Sequence, residues 1–226
     1  LMYWDGANAN AIMGFMKPGK TGFDIAHINV HKTFSTPHGG GGPGAGPVGV
    51  IEKLVDYLPI PRITKKNNTY NLSHNFENSV GKVHSFYGNV NVLIKAYVYI
   101  KMLGAPGLTE VSKNAVLLAN YLKEKLSPHY EIATPGWCKH EFIISLKKER
   151  KEYGIRALDV AKRLIDYGIH PPTVYFPLIV SEALMIEPTE TESLQSIDEF
   201  IQVMIKIKEE IKTNPELLKN APQNAV

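Results

Sequence analysis

The chain holds one cysteine, Cys138, two tryptophans and four arginines among 226 residues. A lone cysteine excludes an intrachain disulfide framework and suits a reducing compartment. No uninterrupted apolar stretch approaches the roughly 20 residues that a bilayer-spanning helix needs. Charge of one sign is also missing: 25 basic residues stand against 22 acidic ones, a net +3 dispersed along the chain, which supplies no argument for nucleic acid. These absences point to a cytoplasmic protein with no membrane or nucleic-acid partner. Its 44% hydrophobic content suffices for a substantial core in one large or two modest domains.

The first residues, "LMYW", have the character of a buried strand, yet neither an initiator methionine nor a leader precedes them. The natural polypeptide is therefore expected to extend upstream, with this chain entering in the middle of a sheet. "FDIAHINV" and "GPVGVIE" read as two further strands, so residues 1 to about 60 are sheet and loop. From Tyr87 to Leu103 apolar residues run around much of a helix that "GAPG" ends, and "TEVSKNAVLLANYLKEKL" is a second helix. "HEFIISL" then reads as a strand. "RALDVAKRLIDYG" is an amphipathic helix with Leu158, Ala161, Leu164 and Ile165 on one face and Gly168 as its stop, and "LIVSEALMIEP" is another strand. Thr189 and Glu192 form a capping box for a final helix expected to bury Leu194, Ile197, Ile201, Met204 and Ile205. This order predicts an α/β protein with a large-domain part over 1–105 and a smaller α/β domain over 106–226.

What the chain has in abundance is concentrated in "HINVHKTFSTPHGGGGPGAGPVGV", which carries seven glycines between Gly39 and Gly49. A lysine attacks carbonyls only as the neutral amine. Lys32 follows an apolar alternation, where a strand would end at the rim of a sheet, the usual ligand position in α/β folds. Thr33, Ser35 and Thr36 supply hydroxyls, and the glycine loop offers backbone N–H groups that can receive an anion. A lysine beside an anion cradle suggests a Schiff base to a phosphorylated aldehyde. In "WDGANANA", Asp5 also follows a strand and can meet the same rim. Pyridoxal phosphate needs such a pair, a lysine for its aldehyde and an acid on the pyridine nitrogen. Each element alone also has an ordinary reading, Lys32 as a solvated charge and Asp5 before Gly6 as turn chemistry. A Walker phosphate loop is excluded because no Gly-Lys-Ser/Thr follows. His27, His31, His38 and His74 lack the spacing of a zinc protease, and no metal site is expected.

"DGANANAIMG", the histidine–lysine–glycine block, "SFYGN" and "HPPTVYFPLIVSEALMIEPTETES" together resemble the glycine decarboxylase P-protein family, glycine dehydrogenase (aminomethyl-transferring). The likeness is to the C-terminal half of the second subunit in the two-chain form, and it runs over nearly the whole chain. It implies an oxidoreductase of the glycine cleavage system with the fold type I pyridoxal phosphate architecture, a partial large domain followed by a small α/β domain. It implies that Lys32 holds the cofactor, that Asp5 is the pyridinium partner and that Ala7 lies against the ring face. His31 would border the site, and Thr33 is a candidate for the phosphate. Ser85, Tyr87 and Asn89 are candidates for the cofactor or a facing subunit, with helix capping equally open for Ser85 and Asn89. Arg156, at the start of an amphipathic helix, is a candidate guide for an anion or a solvated arginine.

The activity so implied is decarboxylation of glycine and passage of the aminomethyl group to the lipoyl arm of H-protein. The partners implied are glycine, lipoylated H-protein and a homologous first subunit, in an oligomer. Because the resemblance leaves ring-stacking and phosphate-binding portions upstream, this chain alone is expected to be inactive. A non-catalytic C-terminal fragment serving subunit assembly, or another fold type I enzyme, are the alternatives.

Overall fold

The structure, a computed structural model, describes residues 1–34, 44–85 and 88–224. The chain divides into two compact units, Leu1–Thr109 and Glu110–Val226.

The first unit is built on a three-stranded sheet in the order β1 (Tyr3–Gly6), β2 (Ile25–Ile28), β3 (Val48–Val50). β1 and β2 run parallel, with Asp5 opposite His27, whereas β3 returns antiparallel with Val48 opposite His27. The expected strand over "FDIAHINV" is thus shorter. It stops at Ile28, and Val30–Thr33 form a single helical turn, α1. That turn has a plain cause. Val30 and Thr33, three apart, share one face of a helical turn and are both buried, which leaves Lys32 exposed. Val30 packs with Val92 and Ala96, and Phe34 meets the Tyr99 ring edge-on at 6.2 Å.

An antiparallel hairpin follows, β4 (Arg62–Lys66) and β5 (Thr69–Ser73). Its two-residue turn is Asn67–Asn68, both at positive φ (47° and 62°), the conformation a tight hairpin turn requires and asparagine tolerates. The helical run α2, Val90–Leu126, is broken at Gly104 (φ 61°, ψ −175°), where "GAPG" predicts an end. Gly14, at φ 82°, lies so close to Thr109 that an added Cβ would meet Oγ1 at 2.1 Å.

In the second unit the sheet order is β6 (Glu131–Ile132), β7 (Phe142–Ser145), β9 (Ala183–Ile186), β8 (Thr173–Val174), all antiparallel. Against it pack Leu122 and Leu126 from α2, then α4 (Ala157–Asp166) and α5 (Leu194–Thr213). Phe142, Ile144, Leu164, Leu184, Met204, Ile207 and Ile211 are at most 1% exposed. Two short helices, α3 (Lys147–Tyr153) and α6 (Glu216–Lys219), complete the unit.

Several expectations are corrected here. The inward face of α4 is Ala157, Val160, Ala161 and Leu164, and Leu158 is 38% exposed. "LIVSEALMIEP" is a strand only from Ala183. Leu178 and Ile179 are 88% and 94% exposed in the loop between β8 and β9, where Pro177 has no N–H to give a ladder. α5 begins after Ser193, whose hydroxyl accepts the Ser196 amide at 3.1 Å, so the working cap lies four residues beyond Thr189. Leu194 is consequently exposed, and Ile197, Ile201, Met204, Ile207 and Ile211 form the buried stripe. Among the described residues no helix is long and apolar enough to cross a membrane.

Charged groups hold the second unit's periphery. Arg163 donates from Nε and Nη2 to both Glu210 carboxylate oxygens at 2.9 Å, and the Tyr167 hydroxyl adds a 2.5 Å bond to Oε1. Asp166 accepts the amides of Gln223 and Asn224 at 2.6 and 2.7 Å, pinning the segment after α6. Burial raises the Glu210 carboxyl, but the Arg163 and Tyr167 bonds outweigh it and hold it below its ordinary value. For Asp166 the amides and Arg163 overcome burial in the same direction. A carboxyl that titrates lower when folded stabilises above its unfolded pKa, and that contribution is lost as pH falls through the folded value. Urea unfolding of the full-length protein should therefore shift to lower midpoints as pH drops from 7 through the carboxyl range. Glu210→Gln should lower the midpoint at pH 7 and flatten that dependence; an unchanged pH slope would contradict the assignment.

Candidate active site

Adjacent parallel strands end on the same side of a sheet, so the residues just beyond β1 and β2 are delivered to one edge. Asp5 is the penultimate residue of β1, Ala7 comes directly after that strand, and His31, Lys32 and Thr33 lie in α1 just beyond β2. The two segments are tied together. Thr33 Oγ1 accepts the amide of Ala9 at 2.8 Å, and both residues are buried, at 1% and 4% exposure. The Thr33 hydroxyl thus serves as a strut between the turn after β1 and the helical turn that carries Lys32.

Asp5 shows little of the pairing that a structural carboxylate requires. Its Oδ1 accepts the Ala7 amide at 3.1 Å and stands 3.5 Å from His27 Nε2, while 70% of the side chain is exposed. His27 is held by Tyr3, whose hydroxyl lies 2.6 Å from Nδ1 and whose ring stacks on the imidazole at 5.7 Å between centroids. The row Tyr3, His27, Asp5 orients the carboxylate from the sheet side. Sequence reasoning passes over His27 as Asp5's neighbour. The signal lies in the parallel register, which the residue order does not display.

His31 lies on a helical turn, so the alternation of faces expected of a strand does not govern it. Its Nδ1 accepts the Ala45 amide at 3.1 Å, which puts the ring against the returning chain. A Cβ on Gly44 would come within 2.7 Å of that ring, so a side chain there would require the imidazole to shift. Asn89, directly before α2, donates from Nδ2 to the Gly44 carbonyl at 2.6 Å. His31 and Asn89 together fix the segment that leads into β3. Ser85 is exposed and its amide bonds to His84 Nδ1. Ser35, Thr36, His38, the glycines at 39–42 and Tyr87 lie outside the described residues. Arg156 precedes α4, where its guanidinium faces Asp159 at 3.4 Å and its backbone amide donates to the same carboxylate at 2.9 Å. Among the described residues His27, His31 and His74 belong to no group of three metal donors.

An exposed primary amine and a carboxylate with an open face, on the ends of neighbouring parallel strands, are a donor set that fits an aldehyde-bearing, cationic heterocycle. Among solved structures, the chain resembles a glycine decarboxylase (P-protein) of the glycine cleavage system in inhibitor-bound form. That likeness has TM-score 0.67 at 20% identity, over 86% of this chain and 46% of that one. A cysteine desulfurase from Thermococcus onnurineus NA1 also superposes with TM-score 0.67, at 17% identity over 92% of this chain and 52% of that one. The fold is thus the α/β architecture of the fold type I pyridoxal phosphate enzymes.

Residues 111–225 match the family described as "Glycine dehydrogenase, C-terminal domain", and the chain belongs to that family. A "probable glycine dehydrogenase (decarboxylating) subunit 2" of Caldanaerobacter subterraneus subsp. tengcongensis is 60% identical over 224 residues, 99% of this chain and 46% of that protein. Its counterpart in Staphylococcus haemolyticus is 54% identical over 226 residues, 100% of this chain and again 46% of that protein. The chain spans about half the length of the curated relatives it matches.

The strut at Thr33 is testable apart from any chemistry. Thr33→Val keeps the shape but strands the Ala9 amide, which should cost about 1–3 kcal/mol in unfolding free energy, with Thr33→Ser recovering most of it. Equal stability of Val and wild type in denaturant titration would show that the bond contributes nothing.

Proposed function

We propose that the full-length protein to which this chain belongs is the second subunit of a cytoplasmic glycine decarboxylase. It would decarboxylate glycine with pyridoxal 5'-phosphate and pass the aminomethyl group to the lipoyl arm of H-protein, in an assembly with a homologous first subunit. The observation that carries this reading is the delivery of Asp5 and Lys32 by two adjacent parallel strands. It is supported by relatives named glycine dehydrogenase (decarboxylating) subunit 2 across the chain. When bound, the cofactor supplies an electron sink for the pair left behind as carbon dioxide departs.

Lys32 would hold the cofactor through its amine. Asp5 holds a proton at the pyridine nitrogen, since an anion at hydrogen-bond distance favours the cationic ring. His27, fixed by Tyr3, stands 3.5 Å from the Asp5 carboxylate and would be a positioning residue for it. Ala7 would lie beside the ring, where a small side chain leaves room. Thr33 keeps Lys32 at a constant distance from the turn after β1 through the Ala9 bond, and its role toward the phosphate is indirect. His31 orders the chain returning from the glycine segment to β3.

Borohydride treatment of the full-length protein with cofactor should leave pyridoxyl mass on the peptide containing Lys32, and Lys32→Ala should abolish it. Label on a different lysine would sink the assignment. With the first subunit and H-protein present, exchange of labelled bicarbonate into the glycine carboxyl should depend on Lys32. Activity on another amino acid without H-protein would favour a different fold type I enzyme. Asp5→Asn should still permit labelling but reduce exchange by at least about a hundredfold, the low end of what a positioned proton contributes. Near-normal exchange would remove Asp5 from its role.

A further inference from the structure

In the second unit, the ladder between β7 and β9 closes on the pair Phe142 and Ile186. Glu141 and Glu187, the next residues outward on either strand, therefore approach one another at the ladder's open end, and His140 precedes Glu141 in the chain. His140 Nε2 lies 3.9 Å from Glu141 Oε2 and 3.9 Å from Glu187 Oε1. One donor atom from each residue falls within 4.8 Å of the other two. Both His140 ring nitrogens are buried without a hydrogen-bond partner, and the side chain is only 12% exposed.

At 3.9 Å the imidazole is beyond hydrogen-bond range of either carboxylate, so a shared proton meets neither well. A cation bound to the Nε2 lone pair and to both carboxylates engages the buried imidazole.

We propose that His140, Glu141 and Glu187 bind a divalent transition-metal cation of the zinc class. Metal–ligand bonds of about 2.0–2.2 Å in tetrahedral geometry put ligand atoms roughly 3.4 Å apart, so each carboxylate need approach Nε2 by about half an ångström from its 3.9 Å. Glu141 and Glu187 have 36% and 30% of their side chains exposed, which leaves an entry path for the ion. An imidazole ligand selects against magnesium and calcium, which take all-oxygen sites. Water completes the coordination, and the ion staples the end of β7 to the end of β9. This departs from the sequence-based expectation of no metal site and does not depend on the chemistry proposed for Lys32.

The test uses the full-length protein stripped with a chelator and titrated with zinc chloride, with calorimetry and metal analysis as readouts. The wild type should take up an equivalent of zinc and unfold at a higher temperature with it. His140→Ala and the near-isosteric Glu187→Gln should each weaken that uptake by at least about tenfold, no less than the loss of an outer-shell partner costs. They should also lose the zinc-dependent rise in unfolding temperature. Circular dichroism of the metal-free variants checks that both are folded, and Glu141→Gln replaces either one that is not. Equal zinc uptake by wild type and folded variants would place the ion elsewhere and overturn the proposal. So would an absence of uptake by the folded wild type.

Discussion

Parallel pairing of two four-residue strands is the constraint on which the first unit depends. Parallel neighbours cannot be joined by a tight turn, so residues 7–24 must make the return before β2 begins. In exchange, both strands end on one side. The register Tyr3 to Ile25 through Gly6 to Ile28 places Asp5 opposite His27. A slip of one residue would turn Asp5 to the other face and break its approach to His27. The Ala9–Thr33 bond joins the segments that leave the two strands, so Lys32 cannot shift along the edge without stranding a buried amide.

The elements of that edge are legible in the sequence because they are local. An acid and a lysine each placed after an apolar run, and a dense glycine stretch, can be read without a partner segment in view. The illegible part is relational. His27 becomes the neighbour of Asp5 only through strand register. Thr33 reads as a ligand hydroxyl, and its bond to Ala9 spans 24 residues of sequence. The boundary at Ile28 is missed because Val30 continues an apolar alternation whose burial comes from Val92 and Ala96, far along the chain.

In the second unit the hydrophobic period of α4 and α5 is visible in the sequence, while its phase is not, as Leu158 and Leu194 show by facing outward. Apolarity alone likewise cannot separate the strand from the loop before it in "LIVSEALMIEP". Pro177, which lacks a ladder donor, is the available clue. The hairpin β4–β5 is not among the strands expected from the sequence, although Asn67–Asn68 is turn chemistry. His140 and Glu187 stand far apart in sequence and meet only because β7 and β9 are neighbours.

The charged groups of this chain differ in how completely they are engaged. Asp166 receives two backbone amides and an arginine; Glu210 receives a guanidinium on both oxygens and a tyrosine hydroxyl. Glu182 is buried at 5% exposure and left-handed at φ 51°, and it accepts both Arg150 and the Ala157 amide that opens α4. Each of these carboxylates has its lone pairs committed, because burying charge without partners is costly. Asp5 has one amide and a distant imidazole, and most of its surface is open. Lys32 is exposed on a turn whose other face is fully packed. A charge that stabilises a fold uses up its partners in the folded chain, whereas one that acts on a ligand must keep a face for it. By that criterion Asp5 and Lys32 differ from the paired carboxylates of the second unit.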